Sequence, residues 1–117
     1  MNIQIFGSKK NADTRKAQRF FKERGIKFQF IDAKQKGLSK GELASVVNAV
    51  GGLDRLIDDQ ARDQKTLTLL KYLVEEQKFA KVLDQQQVLK QPIVRNGKKA
   101  VAGYAPDVWQ AWIAEEQ

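Results

Sequence analysis

The 117-residue chain carries 21 Lys and Arg against 14 Asp and Glu, a formal charge of +7, with 42% hydrophobic and 30% charged residues; that balance fits a soluble single domain large enough to bury a core. It contains neither cysteine nor histidine, which excludes thiol nucleophiles, disulfides, thiolate metal sites and an imidazole general base, and with them zinc fingers, Ser-His-Asp hydrolases and cysteine redox chemistry. Met1–Phe6 is too short and polar for a signal-peptide core, and no apolar run approaches the roughly 20 residues of a membrane helix, so a cytoplasmic protein without a membrane segment is expected.

Ile3 and Ile5 alternate with Asn2 and Gln4 and run into Phe6-Gly7, predicting a short strand that ends in a turn. From Ala12 to Arg24 the spacing is helical. Ala17, Phe20, Phe21 and Arg24 share one face, with Lys16, Arg19, Lys22 and Glu23 outside it. Asn11 or Asp13 can cap the start, and Gly25 can end the helix in the left-handed conformation. Lys27 to Asp32 alternates again, with Phe28 and Phe30 on one side, and reads as a second strand. A strand–helix–strand unit of this kind implies a right-handed crossover and a parallel pair. After a basic loop from Lys34 to Leu38, Ser39-Lys40-Gly41-Glu42 matches a capping box. It opens a helix with the stripe Leu43, Val46, Val47 and Val50, ended by Gly51-Gly52.

Leu53 to Ile57 is long enough for one helical turn, and Asp58 to Lys65 reads as a loop. Thr66 to Val74 puts Leu67, Leu70, Leu73 and Val74 on one helical face; a further helix from Phe79 to Asp84 turns Phe79, Val82 and Leu83 inward. The Gln85-Gln86-Gln87 run is too short to signal low complexity and carries no expected role. Pro92 to Arg95 reads as a strand, Asn96-Gly97 as a two-residue hairpin turn, and Lys98 to Ala102 as the returning strand. Gly103 breaks it, and Ala105-Pro106-Asp107 opens a last helix with the stripe Val108, Trp109, Trp112 and Ile113. The order βαβ, helices, ββα predicts one α/β domain over 1–117 with a thioredoxin-like fold. Its small mixed four-stranded sheet comes from about 1–34 and 88–117, and an all-helical insertion spans about 38–87.

The charge is uneven. Residues 1–40 hold eleven Lys/Arg and three Asp/Glu, a net of +8, whereas residues 41–117 are close to neutral at −1. Such an excess suits an acidic partner or a small anion, and it equally suits a solvated helix face.

The segment Phe6-Gly7-Ser8-Lys9-Lys10-Asn11-Ala12-Asp13-Thr14-Arg15-Lys16-Ala17 resembles the first loop and helix of the ArsC/Spx family, which includes glutaredoxin-coupled arsenate reductases, YffB-type reductase-like proteins and Spx transcriptional regulators. Leu89-Lys90-Gln91-Pro92-Ile93-Val94 resembles that family's Arg-Pro-Ile-Val stretch, and Asn96-Gly97 with Val101-Ala102-Gly103-Tyr104 resembles its hairpin and Val-Gly-Tyr/Phe end. The three matches lie in register over nearly the whole chain. They imply an ArsC-type thioredoxin-like fold and a cis peptide bond before Pro92, facing the Ser8 to Ala12 loop.

The departures bear on chemistry. Redox-active members carry a cysteine four residues before the Arg of Arg15-Lys16-Ala17, where this chain has Asn11; the second cysteine of thiol-switch Spx regulators is replaced by Thr14. The resemblance also implies three arginines that hold an oxyanion. Gln91 replaces the one before the proline and Tyr104 the one after the last strand; the middle one falls near Gln60 to Arg62, where only Arg62 could serve. Arsenate reduction of the family's kind needs a thiolate to attack arsenic and a second thiol to resolve the adduct. An Asn amide is no nucleophile, Thr14 would need a general base beside it, and Asp13 next to it points elsewhere on the helix. No catalytic residue is therefore assigned, and the expectation leans away from an enzyme.

What survives is the geometry of a helix N-terminus, where free N–H groups and the dipole favour a negative group. Lys9, Lys10, Asn11, Ala12, Thr14, Arg15, Gln91, Pro92 and Tyr104 are the candidate residues for binding a sulfate, a phosphate, glutathione or an acidic side chain. No metal site is expected, since Asp54, Asp58, Asp59 and Asp63 lack the spacing of a calcium loop, and no cofactor is expected unless the pocket takes glutathione. The resemblance implies a non-catalytic binding or regulatory protein that docks on an acidic protein partner such as RNA polymerase, with Gly51-Gly52 near the turn that Spx-type proteins use for contact. The alternative is a glutathione-dependent reductase-like enzyme of the ArsC/YffB type that takes its thiol from substrate or cofactor. Direct nucleic-acid binding is not expected, because no helix-turn-helix or RNP-like motif is present.

Overall fold

The computed structural model describes residues 1–116. Strand β1 (Ile3–Gly7), helix α1 (Ala12–Glu23) and strand β2 (Phe28–Asp32) form the expected parallel unit, with Ile3 opposite Phe28 and Gly7 opposite Asp32. Helices α2 (Lys40–Val50), α3 (Gln64–Leu70) and α4 (Glu75–Asp84) follow, with 3-10 turns at Leu53–Leu56 and Gln86–Val88. The hairpin β3 (Ile93–Asn96) and β4 (Lys99–Ala102) and helix α5 (Pro106–Glu115) close the chain. The sheet order is β2-β1-β3-β4, with β3 antiparallel to both β1 and β4. This is the mixed four-stranded arrangement that the element order and the resemblance imply.

The alternation read in the strands sorts the core into two layers, because successive strand side chains point to opposite faces. Ile3, Ile5 and Val94 face α1 and α5, where they meet Ala17, Phe21, Trp109 and Trp112. Phe6, Ile31 and Ile93 face the other way, onto Leu43 and Val46 of α2 and the helical residues beyond it. Full burial of each such aliphatic or aromatic side chain is worth about 1.5–3 kcal/mol. A polar ladder closes one end of that second layer. Gln4 bonds Gln29 at 3.0 Å, Arg95 bonds Gln4 at 3.1 Å, and Arg95 pairs with Glu42 of α2 at 3.6 Å. No helix is long and apolar enough to cross a membrane among the described residues.

Several local expectations are corrected. Helix α3 starts at Gln64 and not at Thr66, because Asp63 caps it by accepting the Thr66 N–H at 3.0 Å. It ends at Leu70, and Lys71, Tyr72 and Leu73 close with short i to i−3 bonds. Val74 is then extended, caps α4 and lies 65% exposed instead of joining the stripe, so α4 begins four residues before Phe79. Arg24 is exposed and lays its guanidinium 3.6 Å from the Phe20 ring centroid. Val108 is also exposed, which leaves Trp109, Trp112 and Ile113 as the buried stripe of α5. The hairpin turn is shifted by one residue. Asn96 pairs with Lys99, and the two loop residues are Gly97, at φ +62°, and Lys98. A positive φ only at the first loop residue is the II′ pattern, for which Gly supplies the conformation. Asn96 is thereby free to accept the Asn2 N–H on its side chain at 3.1 Å.

The glutamine run has a role that composition hides. The Gln86 side chain accepts from Leu38 N–H and donates to Leu38 C=O, both at 2.8 Å, tying the loop after β2 to the end of α4. Gln87 donates to the Asp63 carboxylate at 2.8 Å. The Thr66 hydroxyl and backbone N–H, and then Gln87, hold the Asp63 carboxyl below its ordinary value of 3.8. A carboxyl lowered in the folded state stabilises the fold above the unfolded value and loses that contribution as pH falls through the folded one. Asp63→Asn can still cap α3 but does not titrate. Denaturant midpoints at pH 7 and pH 3 should therefore differ less in the variant than in the parent; equal drops in both would show that Asp63 carries none of the acid sensitivity.

Candidate functional site

Asn11 is the N-cap of α1. Its Oδ1 accepts the Thr14 N–H at 2.8 Å and the Thr14 hydroxyl at 3.0 Å. A backbone N–H can only donate, so the amide oxygen must face Thr14 and the NH2 group faces away. Among the described residues that NH2 group bonds nothing. Thr14 is fully buried, and its hydroxyl is packed where a Cβ on Gly7 would come within 2.3 Å. The two residues at the positions where the resemblance implies cysteines are thus bonded to each other. The hydroxyl of Thr14 is sealed beneath β1 with no base at hand, so it cannot act as a nucleophile.

The loop before α1 is held by a long-range contact. The Ser8 N–H donates to Gln91 Oε1 at 2.7 Å, and Ser8 accepts from Asn11 N–H at 3.0 Å and Lys10 N–H at 3.2 Å. Gln91 precedes Pro92 through a cis peptide bond, as the resemblance implies, and Pro92 C=O accepts the Gly103 N–H at 2.8 Å. The segment before the proline is in turn tied to the 3-10 turn. Asp58 N–H donates to Val88 C=O and Lys90 N–H to Leu56 C=O, each at 2.8 Å, around an Ile57–Leu89 bridge. That pairing carries Gln60, Ala61 and Arg62 to the mouth of α1.

The result is an open cleft of about 630 Å³ between α1, the 57–63 segment and the 87–91 segment. Asn11 and Gln91 line it together with Arg62, which places the residue left unaligned by sequence beside them. Thr14 and Pro92 are buried behind this wall, whereas Ala12 is exposed and does not line the cleft. Lys9, Lys10, Arg15 and Tyr104 are not part of it. Arg15 folds back to donate to Lys9 and Lys10 C=O at 3.3 Å each. Tyr104, 52% exposed, stacks edge-on against Trp109 under the Lys16 ammonium. The lining also includes Lys90 and three carboxylates, Asp13, Asp58 and Asp63, which residue-by-residue reading missed. The only signal for Lys90 was its place in the Lys90-Gln91-Pro92 stretch. Asp58 and Asp63 stand out in sequence only as part of an acidic run and Asp13 only as a helix-start residue; the fold alone gathers the three.

Chemically, the cleft offers donors from Asn11, Gln91, Arg62 and Lys90 and acceptors from the three aspartates. It holds no strong nucleophile. Its mixed charge suits a ligand that carries both acid and amine groups better than a bare inorganic oxyanion, whose charge the carboxylates oppose. Among the described residues no group of three or more acidic side chains is arranged to hold a metal ion.

The ArsC family model matches residues 6–112 of the chain. The global transcriptional regulator Spx 2 of Oceanobacillus iheyensis is 28% identical over 109 residues, which cover 92% of this chain and 80% of that regulator. Two solved structures superpose on the fold: an ArsC family related protein from Bacteroides fragilis, with a TM-score of 0.83 at 18% identity over 95% of this chain and 97% of that one, and an arsenate reductase from Vibrio cholerae, with a TM-score of 0.82 at 21% identity over 95% and 97%. At such identities the two structures show the shared fold alone.

Proposed function

The chain belongs to the ArsC family, and we propose that within it this protein is a non-catalytic binding or regulatory protein that has kept the family's cleft and lost its sulfur chemistry. The observation that carries this reading is the Asn11–Thr14 pair, hydrogen-bonded through both the backbone and the hydroxyl of Thr14. The family's reaction starts with a thiolate at this point, and the carboxamide here is spent on capping α1. The cleft's mixture of donors and carboxylates supports a peptide-like thiol compound such as glutathione as its ligand. The basic first third supports an acidic protein partner, and the likeness to a transcriptional regulator directs that reading towards RNA polymerase.

The test has two arms. Arsenate reduction assayed with glutathione and glutaredoxin should not rise above the buffer rate. Clear turnover would overturn the reading in favour of a glutathione-dependent enzyme that borrows its thiol. In NMR titrations, glutathione at ~1 mM should shift the amides of Asn11, Ala12 and Thr14 more than sulfate does; still spectra with both would mean the cleft is unused.

A further inference from the structure

Strand β2 lies at the rim of the sheet, and its outer side is open. Ala33 N–H donates to Gly7 C=O at 3.0 Å. The N–H and C=O of one strand residue point to the same side, and neighbours alternate. Gln29, Ile31 and Ala33 therefore bond to β1, while Phe28 and Phe30 turn both backbone groups outward. Among the described residues no other backbone group pairs with them. Their rings are half-buried on the α1 face.

The surroundings of this edge are cationic. Lys16 over Tyr104 and Phe20 against Trp109 mark the flank of α1 that faces α5. Helix periodicity places Gln18 and Lys22 on the opposite flank, towards β2. Lys27 precedes the strand, Lys34 and Lys36 follow it, and all four lysines are exposed. None pairs with a carboxylate among the described residues. Of the nearby acids, Asp32 accepts the Lys34 N–H at 3.0 Å, which leaves Glu23 as the other opposing charge.

We propose that this edge receives an extended acidic segment of a partner protein as a fifth strand, with apolar residues over Phe28 and Phe30 and Asp or Glu towards Lys27 and Lys34. The proposal gives a surface to the docking role above and rests on it. Strand addition draws its affinity from main-chain hydrogen bonds and its selectivity from alternate side chains. Two open amide–carbonyl sets, two adjacent rings and a lysine at each end supply both. A second copy of the chain is the wrong occupant, because it would set these lysines against their own counterparts. Lysines on an open edge commonly guard against such self-pairing, and the same charges attract a strand of opposite sign.

The experiment is hydrogen exchange by NMR on the whole chain, with a peptide of about ten residues alternating Val and Glu, and poly-glutamate as the charge-only control. In the free protein Phe28 and Phe30 amides should exchange fast while Gln29 and Ile31 are protected. Saturating Val-Glu peptide should slow Phe28 and Phe30 by about tenfold or more. The combined Lys27→Glu and Lys34→Glu variant should keep its thermal midpoint and lose this protection. Unchanged exchange at these two amides overturns the proposal. So does equal binding of poly-glutamate with shifts only around Lys9 and Lys10, although that result leaves the docking role standing. Protection that appears with protein concentration alone would name a second copy as the occupant and also overturn it.

Discussion

Asn11→Cys is expected to yield a thiol held below the usual cysteine value of about 8.5. A sulfur at this position would inherit the two donors that now serve Asn11 Oδ1, the Thr14 N–H and hydroxyl. It would also sit at the positive end of α1, whose first N–H groups are otherwise unpaired. Each of these favours the charged form. The cap is weakened, since sulfur accepts hydrogen bonds less well than an amide oxygen, but the backbone bond from Arg15 N–H to residue 11, at 3.1 Å, is untouched. At pH 7 the thiolate fraction should rise about severalfold above the few per cent of an exposed cysteine. The measurement is the pH dependence of iodoacetamide alkylation, free of background because the chain has no other cysteine. A midpoint at or above 8.5 would mean that the loop no longer presents a site competent for sulfur.

Gly7→Ala should destabilise the fold by about 1–3 kcal/mol, the usual cost of overpacking a tight core. Gly7 is buried at the end of β1, and an added Cβ would lie 2.3 Å from Thr14 Oγ1 and 2.7 Å from its Cγ2. Neither atom can swing away freely, because the hydroxyl is bonded to Asn11 and the side chain is fully buried. The strain therefore falls on the contact that holds the candidate site. Thr14→Ala removes both clashing atoms, so the double variant should cost less than the sum of the two single ones. Urea denaturation of the four proteins gives that coupling directly. Strict additivity would place the cost of Gly7→Ala elsewhere.

Much of the fold was legible because its signals are local. Ser39 and Glu42 cap each other as the spacing indicates, at 3.1 and 2.8 Å. The Ile3/Ile5 alternation gives the strand as read, and its two faces separate the two core layers. The failures come where a residue at the end of a periodic stretch decides the geometry. Asp63 opens α3 early, Val74 leaves the end of the predicted stripe to cap α4, and a shift of one position moves the turn from Asn96-Gly97 to Gly97-Lys98. The candidate site was legible only at its inner wall. Lys9, Lys10 and Arg15 look like anion ligands by proximity in the chain, yet Arg15 spends its guanidinium on loop carbonyls.

Sequence by itself determined that this member of the family has no sulfur or imidazole chemistry, since residue identity needs no fold to be decisive. It also determined the alternation of strand and helix, because amphipathic periodicity is a property of neighbours along the chain. Only the tertiary structure decided what the cleft contains. The bond from Ser8 to Gln91 joins residues 83 positions apart, and the Ile57–Leu89 bridge brings Arg62, Asp58 and Asp63 to the mouth of α1, beside Asp13. Such contacts depend on how the sheet and the helical insertion pack against each other, and no local pattern encodes that distance.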